Sequence, residues 1–170
     1  MKILFKQKRL GKDKKVFVMY KFRTMVENAE DLKPKVYSLN EADGPVFKIR
    51  NDPRYTKIGK FLSHTGLDEL PQIINVLKGD MALVGPRPLP VDEAKKIPKK
   101  YERRFSVLPG MTSLWILKGA HKLSFDEWMS LDLNYIKKKS LWYDSLILGK
   151  SFLLVLRFVF REFFFPHEKT

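Results

Sequence analysis

Leu67-Asp68-Glu69-Leu70 sets two carboxylates side by side where an apolar pattern of helical spacing begins. Adjacent side chains on a helix point in different directions, so the two acids are not an obvious acid–base pair. They can divide labour instead, one attacking an electrophile while the other holds a divalent cation. A carboxylate attacks phosphorus when metal, Arg or Lys neutralises the phosphate, and the product is an acyl phosphate. A helix N-terminus would keep both acids ionised and help bind phosphate oxygens. Thr65-Gly66-Leu67-Asp68 also has the form of a capping box, which would make Asp68 structural. Gly85-Pro86-Arg87-Pro88 fixes the backbone around one guanidinium, whose fork of donors suits phosphate. Lys21-Phe22-Arg23 offers two further cations beside aromatics, although such a stretch can equally be the solvated face of a strand.

The elements that must position these groups follow from patterning. Ile3 to Arg9 and Val16 to Phe22, split by Leu10-Gly11-Lys12-Asp13-Lys14, predict a hairpin. Thr24 to Lys33 reads as a short polar helix stopped by Pro34. Val46 to Ile49 reads as a short extended piece between turns. Leu67, Leu70, Ile73, Ile74 and Leu77 fall at helical spacing, with Gly79 as a C-terminal cap. Pro71 fits the first helical position, or it kinks a helix that starts earlier. Met81 to Val84 reads as extended. Ser124-Phe125-Asp126-Glu127 is a capping box, with Leu123 placed to staple onto Trp128 and a helix running to about Lys137. A last helix covers roughly Leu141 to Phe165.

Composition bounds the partners. The chain has 170 residues, a formal charge of +14, 44% hydrophobic residues and no cysteine. That is one domain with enough chain for a core, without disulfides or thiolate chemistry. Three histidines, none paired at metal-ligand spacing, argue against a histidine-built zinc site. No uncharged apolar run approaches the ~18–20 residues of a spanning helix, and the start does not read as a signal peptide. The partner of so basic a chain should be anionic: nucleic acid, a phosphorylated substrate or an acidic membrane. Residues 1–23 carry nine Lys or Arg against one acid, whereas the aromatic surplus lies between Trp142 and Phe165. Base-stacking proteins interleave the two, so their segregation favours a membrane face over nucleic acid. In the last helix Lys150, Arg157 and Arg161 share one stripe beside a broad apolar face. That arrangement suits a helix lying among lipid headgroups, although the first half also reads as a core-packed helix with one wet edge.

The order and spacing of these pieces resemble the bacterial sugar transferases, the monotopic polyprenyl-phosphate phosphoglycosyltransferases. The matching residues begin with Lys21-Phe22-Arg23-Thr24-Met25, Asp52-Pro53-Arg54 and Thr56-Lys57-Ile58-Gly59-Lys60-Phe61-Leu62. Leu67-Asp68-Glu69-Leu70-Pro71-Gln72, Asn75-Val76-Leu77-Lys78-Gly79-Asp80-Met81 and Leu83-Val84-Gly85-Pro86-Arg87-Pro88 form the central block. Pro109-Gly110-Met111-Thr112, Leu131-Asp132-Leu133-Asn134-Tyr135-Ile136 and Ser140-Leu141-Trp142-Tyr143-Asp144 extend the likeness. The resemblance implies a two-step transfer. Asp68 attacks the sugar-linked phosphate of a UDP-sugar and releases UMP, and the phosphosugar then passes to a membrane polyprenyl phosphate, initiating surface glycan assembly. It implies Mg²⁺ held by Glu69 with Asp68, and phosphate bound by Arg87, Lys21, Arg23 and His64. Pro86, Pro88, Asp132 and Tyr135 are further family-matched positions. The implied location is the cytoplasmic face of the bacterial inner membrane, peripheral or monotopic.

The sequence also departs from the family pattern. Members usually carry a hydrophobic membrane helix ahead of the hairpin, and this chain starts after it. Ser63 stands where Arg is usual, Leu108 where a basic residue precedes Pro-Gly, and Ile116 and Gly119-Ala120 where Gln and Gly-Arg are usual. His64 and Lys118 are candidate substitutes for the missing anion ligands. The expectation is a single compact α+β domain over residues 1–170, mostly helical, with an N-terminal β-hairpin and an amphipathic membrane-surface helix at 141–165. An inactive or regulatory homologue and a basic nucleic-acid-binding module are the competing readings.

Overall fold

The computed structural model describes residues 2–119 and 123–164, so Ala120 and Phe165 lie outside the described part. The expected hairpin is present. β1 (Leu4–Leu10) and β2 (Val16–Phe22) pair antiparallel from Leu4 opposite Phe22 to Leu10 opposite Val16. The turn between them is closed by a hydrogen bond from Gly11 N to Lys15 O at 2.8 Å. Along β2 the period of two points Phe17 and Met19 inward, onto Met81. Lys21 follows on the same face, so the strand carries an ammonium to the place where its apolar core ends. The free edge of β1 takes two residues of β4 (Leu89–Pro90), giving the order β2-β1-β4.

The segment after the hairpin corrects the expected helix at Thr24 to Lys33. Residues 27–32 form turns, and a 3-10 helix occupies Lys33–Leu39 with Pro34 in its first turn. Pro34 therefore starts a helix rather than stopping one. Its fixed φ and missing N–H cost nothing at a helix start. The turns are anchored by Arg54, which forks onto both Asp52 oxygens at 2.9 and 2.7 Å and donates to Ala29 O at 2.9 Å. Burial opposes the Asp52 charge, but its bonds from Arg54 outweigh it and hold the carboxyl below its usual range. Val46 to Ile49, expected as an extended piece, takes no regular secondary structure and pairs with no strand. Its loop is built around the Asn40 carboxamide, which donates to Ala42 O and Val46 O and accepts from Ala42 N and Lys48 N.

The carboxylate segment takes neither of the two forms expected for it. α1 (Lys57–Thr65) is capped by Thr56, whose hydroxyl accepts from Gly59 N, and it stops at Gly66, which takes φ +78°. A 3-10 helix over Leu67–Gln72 follows, with Pro71 inside it, and α2 (Ile73–Leu77) continues from there. Thr65 forms no capping box with Asp68, because its hydroxyl donates back to Phe61 O at 2.8 Å and Leu62 O at 3.1 Å. Asp68 is free for another role.

β3 (Ala82–Val84) pairs in parallel with β5 (Gly110–Thr112). A Cβ on Gly110 would collide with Gly85 N, and one on Gly85 with Leu108 O, so only two glycines let these chains cross. α3 (Val91–Ala94), a 3-10 helix at Lys99–Ser106, α4 (Leu114–Leu117) and α5 (Phe125–Lys138) enclose the main core, centred on the stacked Trp115 and Trp128. The Ser124–Glu127 capping box has both of its hydrogen bonds. Leu123 packs onto the cluster that holds Trp128. α6 (Leu141–Phe164) buries only Ile147 fully. Among the described residues no helix is long and apolar enough to cross a membrane.

Candidate active site

Asp68 and Glu69 occupy the first turn of the 3-10 helix that follows Gly66. Lys21 Nζ, arriving from β2, lies 2.8 Å from Glu69 Oε1 and 3.3 Å from Asp68 Oδ2. From the opposite side Arg87 Nη2 reaches the same Glu69 oxygen at 2.8 Å. All four side chains are at most a quarter exposed, with Asp68 the most enclosed. Successive residues of a helix diverge, yet one ammonium touches both carboxylates because it enters between them.

The two acids are electrostatically unlike. Burial pushes the Asp68 carboxyl above its usual range, and the neighbouring Glu69 charge adds to it against the pull of Lys21 and Arg87. Burial also acts on Glu69, but Arg87 and Lys21 outweigh it and hold that carboxyl well below the ordinary value. Paired groups driven apart in this way divide into distinct roles. Glu69 is the fixed anion and Asp68 the less stabilised, more basic one, which is the better nucleophile. A fit for Mg²⁺ can be tested on the donor set. The described residues hold no cluster of three or more acidic or histidine ligands. Two adjacent carboxylates are nonetheless what Mg²⁺ takes when substrate phosphates and water complete its shell. Asp68 and Glu69 therefore fit it as a shared ion.

The face that presents the acids is built inside out. Gln72 and Asn75 are buried with Asp68, whereas Leu70, Ile73, Ile74 and Leu77 are 55%, 44%, 38% and 83% exposed. The apolar residues at helical spacing thus form an outer surface beside Glu69, not a core stripe. Asn75 explains the inversion: its carboxamide accepts from Tyr20 N at 3.0 Å and donates to Val18 O at 2.7 Å. It stands in for the missing neighbour on the free edge of β2, and so sets Lys21 against the acids. Sequence reasoning did not single Asn75 out for this, although one amide in an apolar helical run is a visible signal.

The remaining expected residues fall in different places. Arg23 donates from Nε to Lys2 O at 3.0 Å and stacks over Phe5, without touching either acid. His64 sits at the α1–α6 junction, with Nδ1 3.4 Å from Glu162 Oε1 and Nε2 3.2 Å from Arg50 O. Ser63 is engaged by the Tyr55 hydroxyl at 2.9 Å. Lys118 is exposed at the end of α4. Neither His64 nor Lys118 joins the cluster of Lys21, Asp68, Glu69 and Arg87.

The family model for bacterial sugar transferases matches residues 1–158. The chain belongs to the bacterial sugar transferase family. It is 46% identical over 154 residues to a galactosyl transferase, CpsE, of Streptococcus agalactiae, covering 90% of this chain and 34% of that protein. It is 40% identical over 162 residues to the undecaprenyl-phosphate galactose phosphotransferase of Salmonella typhimurium, covering 91% and 33%. The exopolysaccharide production protein ExoY of Rhizobium meliloti is 32% identical over 153 residues, covering 88% and 68%. The chain spans about a third of the length of the first two relatives.

In this chain the family-matched Pro86, Pro88, Asp132 and Tyr135 all serve the Arg87 turn. Pro86 O accepts from Gly110 N at 3.0 Å, and Pro88 O accepts from Arg9 Nη1 at 2.9 Å. Tyr135 donates its hydroxyl to Val84 O at 3.0 Å. Arg104 Nη2 donates to the Arg87 carbonyl at 2.8 Å while its Nε and Nη2 hold Asp132 Oδ2 at 3.0 and 2.8 Å. Four backbone carbonyls at and beside Arg87 are thus fixed by four donors from separate elements. Asp132 and Tyr135 are positioning residues, remote from the reacting atoms.

Proposed function

We propose that this chain is the catalytic domain of a transferase that moves a sugar phosphate from a UDP-sugar onto a membrane polyprenyl phosphate. The observation that carries this reading is the enclosed Asp68–Glu69 pair bracketed by Lys21 and Arg87. An Asp68 oxygen attacks the sugar-linked phosphorus, the bond from phosphorus to the bridging oxygen breaks, and UMP departs with the electron pair. A polyprenyl phosphate oxygen then attacks the same phosphorus, and the Asp68 carboxylate leaves unchanged. Lys21 and Arg87 bind the phosphoryl oxygens as charge builds there, in a site that needs little reorganisation because its cations are already fixed. Asp68 and Glu69 would hold Mg²⁺, which would supply further neutralisation of phosphate charge. The names of the relatives, which include an undecaprenyl-phosphate galactose phosphotransferase, support the reaction class. The test is transfer of labelled sugar phosphate from a UDP-sugar to polyprenyl phosphate in detergent. Label should reach the lipid with magnesium and fall at least ~10-fold on chelation. Full transfer in excess chelator would sink the metal's role, and no transfer from any UDP-sugar would sink the reaction.

A lipid acceptor requires the site to meet a membrane, at the cytoplasmic face if UDP-sugar is the donor. Two exposed apolar surfaces support that placement. One is Leu70, Ile73, Ile74 and Leu77 beside the acids, and the other is the Phe152, Leu153, Leu156, Phe160, Phe163 and Phe164 face of α6. Exposed apolar area on this scale marks a contact surface. The basic front hairpin adds attraction to anionic lipid of about 1 kcal/mol for each Lys or Arg near the surface. The chain should sediment with anionic vesicles, and binding should weaken but persist as salt rises. Leu77, Phe163 and Phe164 changed together to Ser should remove the salt-resistant part. A wild-type chain left in the supernatant at low salt would overturn the interfacial reading.

A further inference from the structure

Lys48 is a basic side chain near this site that the reaction scheme leaves unused. Its backbone is locked, with Lys48 N donating to Asn40 Oδ1 at 2.7 Å and Lys48 O accepting from Glu41 N at 2.8 Å. The buried side chains Val46 and Ile49 flank it and anchor the loop in the core. The ammonium lies 4.1 Å above the ring of Trp115, and the Arg87 guanidinium lies 5.4 Å from the same ring. One indole, itself stacked on Trp128 at 4.4 Å, is therefore the floor for two cations. Indole is the best aromatic partner for a cation, so it holds two like charges close together that would otherwise separate.

The charge balance of the site gives this arrangement a purpose. Lys21 and Arg87 are already engaged by Asp68 and Glu69, so two cations meet two carboxylates before any substrate arrives. Lys48 makes no ion pair with any described carboxylate, although Arg87, Glu41, Glu69 and Lys21 all act on it electrostatically. Burial, then the like charge of Arg87, bring its ammonium down to about 7. A half-buried cation beside another cation is costly unless an anion completes the group.

We infer that Lys48 is a further phosphate-binding residue of this site, which takes the diphosphate of the nucleotide-sugar donor from the Trp115 side of Arg87. This rests on the diphosphate-site reading above and adds a ligand that no motif around Asp68 contains. Lysine suits the position because its compact ammonium can leave the indole face for an incoming oxygen, whereas Arg87 is already held to Glu69 through Nη2.

The probe is inorganic pyrophosphate, titrated by calorimetry into the full chain. Lys48→Met keeps the length of the stem and its packing on Trp115, removes the charge, and should weaken pyrophosphate at least ~10-fold. Lys48→Arg should restore affinity to within ~3-fold. Thermal midpoints separate binding from packing: a midpoint within a few degrees of wild type with weakened binding supports the assignment. Weakening that tracks a lost midpoint in Lys48→Met, with no rescue in Lys48→Arg, assigns Lys48 to structure and overturns it. Arg87→Met is the parallel control. If Arg87→Met weakens pyrophosphate and Lys48→Met does not, the Lys48 assignment alone fails. If neither does, or the wild type does not bind pyrophosphate, the diphosphate-site reading fails with it.

Discussion

Asp68→Asn should abolish sugar-phosphate transfer, with a loss of roughly 10³-fold or more, because removing a nucleophile leaves only binding and electrostatics to act. The change keeps the shape of the side chain and leaves the Lys21–Glu69 and Arg87–Glu69 contacts in place. The donor should therefore still bind while nothing becomes attached to the protein. Intact-mass measurement after brief exposure to a UDP-sugar reads this directly. The wild type should gain one sugar phosphate and release UMP in step, and Asp68→Asn should gain nothing. Glu69→Gln makes the contrast, since it keeps the nucleophile but loses the fixed anion that Lys21 and Arg87 share. It should still label, more slowly and at a higher magnesium requirement. Undiminished labelling of Asp68→Asn would move the nucleophile elsewhere.

The second large effect belongs to the buried Arg104–Asp132 pair, whose side chains are 2% and 1% exposed. Burial alone pushes the Asp132 carboxyl up, to about 6 even with Arg104 against it. Removing one partner strands the other's charge in the core, which costs roughly 3–5 kcal/mol. In a domain of this size that lowers the thermal midpoint by on the order of 10 °C. Arg104→Met alone and Asp132→Leu alone should both show it. The double variant should recover much of the stability, because no unpaired charge remains. Turnover should not recover, since the Arg87 carbonyl has still lost the donor at 2.8 Å that fixes its turn. Calorimetry and transfer rate on the same three variants separate the two roles. Wild-type turnover in the double variant would show that the pair serves the core alone.

Several members of the candidate site were legible before the fold. Asp68, Glu69, Arg87 and Lys21 were named from residue type and local setting; Lys21 lies within 3.3 Å of both acids, and Arg87 lies 2.8 Å from Glu69. The β-hairpin, the Ser124–Glu127 capping box and the long last helix were legible too. Each is set by hydrogen bonds and side-chain periods confined to a few neighbouring residues. The misplaced helix at Thr24 to Lys33 failed because its conformation is fixed from outside. Arg54, 25 residues further on, holds Ala29 O.

What the sequence by itself determined is therefore a set of candidate reactive groups, the elements with a strong local period, and a basic charge that calls for an anionic partner. Tertiary structure decided which of those groups share one space. It separated Arg23 and His64 from the acids, brought in Asn75 to fix β2, and joined Arg104 to Asp132 across 28 residues. It also turned the Leu70–Leu77 stripe outward, which periodicity cannot foresee, because a period shows that a face is apolar but not what covers it. Lys48 was invisible for the same reason. A single lysine in an irregular loop has no pattern, and its meaning comes from Trp115 and Arg87, which reach it from other parts of the chain. Local hydrogen bonding and side-chain period are written in neighbouring residues, whereas desolvation and charge pairing exist only once distant residues have packed together.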